Sequence, residues 1–151
     1  MRIRKYRVGD ETKVRSLISG VLGDMYGSVD IKWEDFCAYD GFFVDEKDGD
    51  IVGCAAVKKV DGKVANLRRM YVRKDFQKNG VGNKLMKKCF EFCNKKGFRK
   101  VFLTTYPEME SAINFYERNG FVRIENAAED LFPTSMLKGY KGKRIAMERV
   151  L

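Results

Sequence analysis

The sequence predicts an α/β protein whose core is a sheet of about seven strands. Two Asp-Gly pairs, Asp48-Gly49 and Asp61-Gly62, separate apolar stretches of strand length, and Asp-Gly is a strong signal for a tight hairpin. Farther along, strand-like runs alternate twice with stretches of helical periodicity, which is typical of a sheet covered by helices. The resulting order of elements is β-α-α-β-β-β-α-β-α-β-β.

The first half of the chain supplies four of the strands and two helices. Alternating apolar and polar residues predict a strand over Arg2–Tyr6, and Gly9-Asp10 begins a helix to about Leu22 with Asp10 as its N-cap. A short helix is predicted next, over Trp33–Ala38. Three strands joined by the two Asp-Gly turns follow it: Gly41–Glu46, Ile51–Val60 and Lys63–Val72.

The second half contains two amphipathic helices. The first begins near Asn83, with an apolar side of Val81, Leu85, Cys89 and Phe92 and a polar side of Lys84, Lys87, Lys88 and Lys95. A buried strand, a helix stopped by Gly120 and two final strands follow: Lys100–Thr105, Glu108–Asn119, Phe121–Glu125 and Lys143–Val150. A loop rich in acidic and turn residues separates the last two strands and ends at about Gly142.

Length and composition fit one globular domain over residues 1–151. The chain is 44% hydrophobic and 34% charged, with eleven Phe and seven Tyr, which a disordered chain would lack. No apolar run is long enough to cross a membrane, and the charged stretch Met1–Arg7 is unlike a signal peptide. Four cysteines without zinc-site spacing and the absence of histidine argue against a metal and against a histidine-activated nucleophile. Free thiols suit the reducing cytoplasm, where we expect the protein to act.

The turn Gln77–Gly82 is the strongest functional signal, because it leads from a strand into a helix N-terminus. Free N–H groups and the positive end of the helix dipole meet there, so we expect it to bind an anion, most simply a phosphate. An ATP-type loop needs Lys-Ser or Lys-Thr after the last glycine, and a dinucleotide fingerprint needs a third glycine at Leu85. Neither is present, which leaves the pattern Gln-x-x-Gly-x-Gly.

This pattern resembles the pyrophosphate-binding signature of the GNAT family of acetyl-CoA-dependent acyltransferases. A second stretch, Ser111–Phe121, resembles the family's second motif, in which an alanine precedes a tyrosine by four residues and Gly-Phe closes the helix. Here these residues are Ala112, Tyr116 and Gly120-Phe121. The resemblance covers residues 65–121 and implies the complete GNAT fold, a mixed sheet with helices on both faces.

The resemblance also implies an N-acetyltransferase in which a primary amine attacks acetyl-CoA directly, without a metal. The pantetheine arm would bind the exposed backbone of Met70, Tyr71 and Val72, and the pyrophosphate would bind Gln77, Lys78, Asn79, Gly80, Val81 and Gly82. A backbone N–H near Tyr71 would stabilise the oxyanion, and Tyr116 would protonate the departing thiolate. Asn114 would bond the pantetheine arm or face solvent.

The general base and the acceptor are less well defined. Asn66 stands where many family members carry a glutamate, and an amide cannot act as this base. Asn66 could order a catalytic water or pack at a strand edge, and three carboxylates are unranked candidates: Glu34, Asp45 and Glu125. Acceptor recognition is expected from residues 22–33 and 127–140, where Glu129 and Asp130 beside Leu131–Pro133 could attract a cationic amine or simply be solvated.

Two other functions remain open at this point. Asn66 is compatible with an acyl-CoA-binding regulatory module with little turnover. The net charge of +9 would attract either a phosphate-bearing coenzyme or nucleic acid, and we rank nucleic acid well below the coenzyme. Assembly as a homodimer also stays open.

Overall fold

A computed structural model describes residues 2–125 and 136–151. Seven strands are present, named in chain order β1 Arg2–Lys5, β2 Gly41–Lys47, β3 Asp50–Lys59, β4 Val64–Val72, β5 Lys100–Thr105, β6 Val122–Arg123 and β7 Ile145–Val150. Three α-helices accompany them: α1 Glu11–Tyr26, α2 Val81–Lys95 and α3 Glu110–Arg118. Single 3₁₀ turns lie at Val8–Asp10, Phe36–Ala38 and Lys74–Phe76.

The seven strands form one mixed sheet in the order β1-β2-β3-β4-β5-β7-β6. The β4–β5 pair is parallel, and every other neighbouring pair is antiparallel. The predicted α/β architecture of seven strands is therefore confirmed. The first predicted hairpin is confirmed as well, because Asp48 and Gly49 have φ angles of 50° and 81°, the pair of positive values that a tight turn between twisted strands requires.

Each face of the sheet carries its own apolar core. On one face, hereafter the α2–α3 face, residues of both helices pack on the sheet around Leu85, Cys89, Ile113 and Tyr116. On the other, the α1 face, α1 contributes Val14, Ile18 and Leu22, which pack with Tyr71 and Leu137. Helices thus cover both faces, as the sequence predicted.

Two predicted N-terminal features are wrong in detail. Trp33–Ala38 does not form an α-helix: only the 3₁₀ turn Phe36–Ala38 is present, because Asp35 is extended and its carboxylate accepts the Cys37 N–H at 2.9 Å. Asp10 is the N-cap residue of α1, but its side chain makes no capping hydrogen bond. Its carboxylate instead accepts two N–H bonds from Arg4, at 2.8 and 2.9 Å, and one from the Arg7 backbone at 2.8 Å.

Other differences concern where elements begin and end. The helix expected to end at about Leu22 continues to Tyr26, and the helix expected near Asn83 begins at Val81. The predicted strand 121–125 shrinks to Val122–Arg123. The predicted burial pattern of α2 holds, with Cys89 and Cys93 in the core and the four lysines exposed.

Three of the four thiols are buried: Cys54, Cys89 and Cys93. Burial raises the pKa of Cys54 to about 12 and that of Cys93 to about 11, so these thiols stay protonated at neutral pH. Cys37 is exposed. Among the described residues, no helix combines the length and the apolar character needed to span a bilayer.

Candidate active site

A cleft opens where β4 and β5 separate. The two strands pair only from Val64 to Asn66, opposite Lys100 to Phe102. Beyond that ladder no pairing between them is found in the described part of the chain, and the gap is lined by residues of both strands together with Tyr116 from α3. The remainder of β4 therefore presents backbone N–H and C=O groups toward an open edge inside the sheet.

A β-bulge in β4 lies next to this gap. Arg68 pairs with Ala56 and Tyr71 pairs with Cys54, so two residues of β4, Arg69 and Met70, face a single residue of β3. Arg69 has a φ of 53°, in the left-handed region that side chains rarely adopt. Its carbonyl oxygen accepts a hydrogen bond from the Cys54 thiol at 3.0 Å. The bulge bends the strand at the point where the cleft begins.

Asn66 lies at the fork of the two strands and is buried. Its Nδ2 donates to the Phe102 carbonyl across the fork at 3.0 Å, and its Oδ1 accepts from Arg68 Nε. A carboxylate could not make the first of these bonds, because it has no proton to donate. The amide thus joins β4 to β5 and orients Arg68. Of the two roles expected for Asn66, ordering a catalytic water or packing at a strand, these bonds favour packing.

The predicted phosphate turn has the geometry of an anion site. Lys78 and Gly80 hold φ angles of 68° and 84°, and Gly80 is the left-handed residue that precedes α2. Gln77 Nε2 donates to the Val72 carbonyl at 3.0 Å and so ties the turn to the end of β4. The first N–H groups of α2 have no acceptor within the helix, and Asn79 is exposed beside them.

The two glycines of the turn have different roles. A Cβ at Gly80 would meet no atom within 4 Å, so glycine is favoured there by the positive φ angle and not by lack of space. A Cβ at Gly82 would lie 3.2 Å from the Phe115 ring, so glycine also permits α2 to pack against α3. Val81 is fully buried and faces the core, as predicted.

Tyr116 lines the cleft from the α2–α3 face. Its side chain is buried, with the Phe121 ring centroid at 5.9 Å, and its hydroxyl makes no hydrogen bond to any described residue. Burial, and secondarily the Cys89 thiol, raise the pKa of this hydroxyl above its ordinary value, so it stays protonated over the working pH range. Asn114, two residues earlier, is exposed and does not line the cleft.

The three β4 residues predicted to hold the pantetheine arm divide between the faces. Met70 and Val72 pack against the α2–α3 core, and Tyr71 packs in the α1 core. The Tyr71 hydroxyl donates to Met136 Sδ at 3.0 Å, and burial raises its pKa. Met70 and Tyr71 line the cleft, whereas Val72 lies beyond it toward the phosphate turn.

A charged cluster lies in the cleft on the α1 face, and sequence reasoning found only one of its members. The Glu34 carboxylate accepts hydrogen bonds from Arg68 Nη1 at 2.8 Å, from Arg69 and from the Tyr39 hydroxyl at 3.2 Å. Arg144 also lines the cleft. The consecutive pair Arg68-Arg69 was the signal that could have indicated this cluster, since two charged residues in a buried strand need a reason.

The structure separates the three candidate bases. Glu34 lines the cleft. Asp45 is fully buried in β2, where burial raises the pKa of its carboxyl group, and it does not line the cleft. Glu125 is exposed and also lies outside the lining. Glu129, Asp130 and 131–133, expected to attract the acceptor, fall outside the described residues.

The two segments expected to recognise the acceptor lie side by side where they are described. Ile31 and Leu137 form an antiparallel bridge, Lys32 N donates to the Met136 carbonyl at 2.6 Å, and Lys138 N donates to the Asp30 carbonyl at 2.9 Å. Both segments cover the α1 face next to Tyr71. Among the described residues, no group of His, Cys, Asp or Glu side chains has the arrangement of a metal site.

Comparison with known proteins identifies the family, and relatives and solved structures agree with it. The acetyltransferase (GNAT) family signature matches residues 20–121. An uncharacterized N-acetyltransferase of Methanocaldococcus jannaschii is 38% identical over 92 residues, which are 57% of this chain and 41% of that protein. This chain thus matches less than half the length of that relative.

Solved structures resemble the fold over nearly the whole chain. A GNAT-family acetyltransferase from Staphylococcus aureus superposes with a TM-score of 0.81 at 22% identity, covering 99% of this chain and 98% of the other. The PaiA N-acetyltransferase of Thermoplasma acidophilum, in complex with coenzyme A, gives 0.76 at 17% identity, covering 99% and 98%. At these identities the likeness concerns the fold alone. Because the family signature covers about two thirds of the sequence, including the forked sheet and both motif helices, the chain belongs to the GNAT family of acetyltransferases.

Proposed function

We propose that residues 1–151 form one N-acetyltransferase domain that transfers the acetyl group of acetyl-CoA to a primary amine in the cytoplasm. The observation that carries the proposal is the separation of β4 and β5, which opens a cleft lined by Tyr116. The N-terminus of α2 follows the end of β4. The fork leaves a strand edge free for an extended ligand, and the helix N-terminus offers N–H groups to a phosphate at the end of that edge. An acyl-CoA, with a long pantetheine arm next to a pyrophosphate, has this shape.

The residues that would bind the donor follow from this arrangement. The backbone of Met70, Tyr71 and Val72 would pair with the pantetheine arm, and the turn Gln77–Gly82 would bind the pyrophosphate through its N–H groups. Lys78 adds a positive charge at the same place. Asn114 is exposed and does not line the cleft, so the case for its contact with the pantetheine arm is weaker.

Direct transfer requires two proton movements at the cleft. The amine nitrogen forms a bond to the acetyl carbon and loses one proton, and the carbon–sulfur bond breaks as the sulfur gains one. Tyr116 would donate the proton to sulfur, because this residue lines the cleft and its hydroxyl is protonated and makes no hydrogen bond to a described residue. A backbone N–H near Tyr71 would stabilise the oxyanion, a contribution of about 3 kcal/mol in comparable sites. Glu34 would accept the amine proton through water, since it alone among the three candidate carboxylates lines the cleft.

Calorimetric titration with acetyl-CoA tests donor binding. Lys78→Glu reverses a charge at the phosphate turn and should weaken affinity by about 1–2 kcal/mol, roughly 5- to 30-fold. Lys59→Glu makes the same charge change on an exposed lysine at the opposite end of the sheet, and should leave affinity close to wild type. Equal weakening by both would mean that net charge, not this turn, attracts the coenzyme.

Turnover tests the activity separately. Thiol release from acetyl-CoA in the presence of a broad amine panel should occur with at least one acceptor. Binding of the coenzyme without thiol release with any amine would favour the regulatory module instead.

A further inference from the structure

The described lining of the cleft carries more positive than negative charge. Three arginines and one glutamate line it: Arg68, Arg69, Arg144 and Glu34. Arg68 and Arg69 share the single Glu34 carboxylate, although their side chains are only 18% and 10% exposed. Arg69 Nε, moreover, has no hydrogen-bond partner among the described residues. One carboxylate does not balance these two guanidinium groups, and burial of an uncompensated charge is costly, so the pair Arg68-Arg69 in a cleft needs an explanation.

The bulge in β4 explains how both arginines reach the same place. Consecutive side chains of a regular strand point to opposite faces, which would send Arg69 into the apolar α2–α3 core. With one extra residue in the strand, Arg68 and Arg69 both contact Glu34 on the α1 face. Arg69 adopts its left-handed φ of 53° to do so. Bulges beside functional sites commonly re-aim a side chain in this way.

The cationic cluster and the proposed donor site lie on opposite sides of the sheet. Tyr116 and the α2 N-terminus belong to the α2–α3 face, where the two helices cover the sheet. Glu34, Arg69 and Met136 meet on the α1 face, next to Tyr71. A thioester bound in the fork from the first side is therefore open to an incoming amine from the second, past the arginines.

We infer that the acceptor is a small amine that also carries an anionic group, a carboxylate in the simplest case, bound by Arg68 and Arg69 with Arg144 nearby. The inference rests on the proposed acetyltransferase function. Guanidinium groups match carboxylate and phosphate oxygens with paired N–H bonds, and these bonds strengthen where water is excluded. The same positive charge disfavours the ammonium form of the amine, which helps to supply a neutral nucleophile where Asn66 replaces a carboxylate.

Matched acceptor pairs test the inference on the wild-type protein with acetyl-CoA. L-amino acids are compared with the corresponding L-amino-acid amides, and phosphoethanolamine with ethanolamine. We expect kcat/KM to be roughly 10- to 100-fold higher for the anionic member of at least one pair, the usual range for a charge-assisted hydrogen bond. Whichever pair gives the larger ratio identifies the anion as carboxylate or phosphate.

Two negative results have different meanings. Turnover of amines without preference for the anionic members would overturn this inference and leave the acetyltransferase proposal intact. No turnover with any amine, in a protein that binds acetyl-CoA, would overturn both.

Arginine variants test which side chains give the preference. Arg68→Met should lower the ratio of kcat/KM between the anionic and neutral members toward one, mainly by raising KM for the anionic acceptor, and Arg68→Lys should restore part of it. Arg118→Met removes an exposed arginine of α3 that lies outside the cleft, and should keep the wild-type ratio. Arg144→Met serves as the second cleft variant if Arg68→Met does not fold. An unchanged ratio in the cleft variant that folds would overturn the assignment, because a folding defect reduces both members of a pair alike.

Discussion

Tyr116→Phe isolates a single oxygen atom in the proposed mechanism. The hydroxyl makes no hydrogen bond to a described residue, so its removal leaves no buried partner unsatisfied. The ring contacts with Phe115 and Phe121, at 5.8 and 5.9 Å between centroids, are retained. We therefore expect the free energy of unfolding to change by less than about 0.5 kcal/mol. If the hydroxyl protonates the thiolate, kcat should fall roughly 10²-fold, the lower end of the range for general acid catalysis.

The assay measures urea denaturation, acetyl-CoA affinity and kcat on the same purified variant. Thioester loss should be followed by absorbance, because thiol reagents would also react with the exposed Cys37. Single-turnover measurements ensure that chemistry, not product release, is observed. A kcat within about threefold of wild type would remove Tyr116 from the mechanism and leave solvent as the proton source. A loss of stability above 1 kcal/mol would instead refute the view that the hydroxyl is free.

Two further predictions concern stability. Gly53→Ala should destabilise the protein by about 1–3 kcal/mol, because the new Cβ would lie 2.9 Å from Leu85 Cδ1. Gly20→Ala is the control: this helical position has no atom within 4 Å of a new Cβ, so alanine there should stabilise the protein by up to about 1 kcal/mol. Equal effects of the two substitutions in urea denaturation would contradict the packing argument. Asp10→Asn should cost about 2–3 kcal/mol at pH 7 by weakening the buried pair with Arg4. Because hydrogen bonding to Arg4 lowers the pKa of Asp10 in the folded state, this stabilisation is complete above the ordinary pKa of about 3.9 and is lost as pH falls through the folded value. A wild-type advantage that does not decline as the pH is lowered below that ordinary value would contradict it.

The sequence was sufficient for the elements that depend on local chemistry. Asp48-Gly49 predicted its hairpin because few residue pairs tolerate two positive φ angles. The spacing of Leu85 and Cys89 predicted which side of α2 is buried. The turn Gln77–Gly82 before α2 could be predicted for the same kind of reason, since its glycines and the following helix are neighbours in sequence.

The charged cluster could not be predicted, because it depends on contacts between distant parts of the chain. Arg69 reaches Glu34 only through the bulge, and a bulge in β4 is defined by its register with β3, which no local pattern encodes. Arg144 joins the cleft from just before β7. The role of Asn66 stayed open between two alternatives for a related reason, because its bond to Phe102 joins residues 36 positions apart.

The fork in the sheet also has a consequence for the order of folding. The strands β2, β3 and β4 follow one another along the chain and pair by short turns, so their contacts close with little loss of chain entropy. The β5–β7 pair joins Lys100 to Val150 and needs almost the whole C-terminal third of the chain. We expect the two halves of the sheet to meet late, across the short ladder of β4 and β5. The cleft lies on that seam, so the proposed binding of an acyl-CoA should become possible only in the last step of folding.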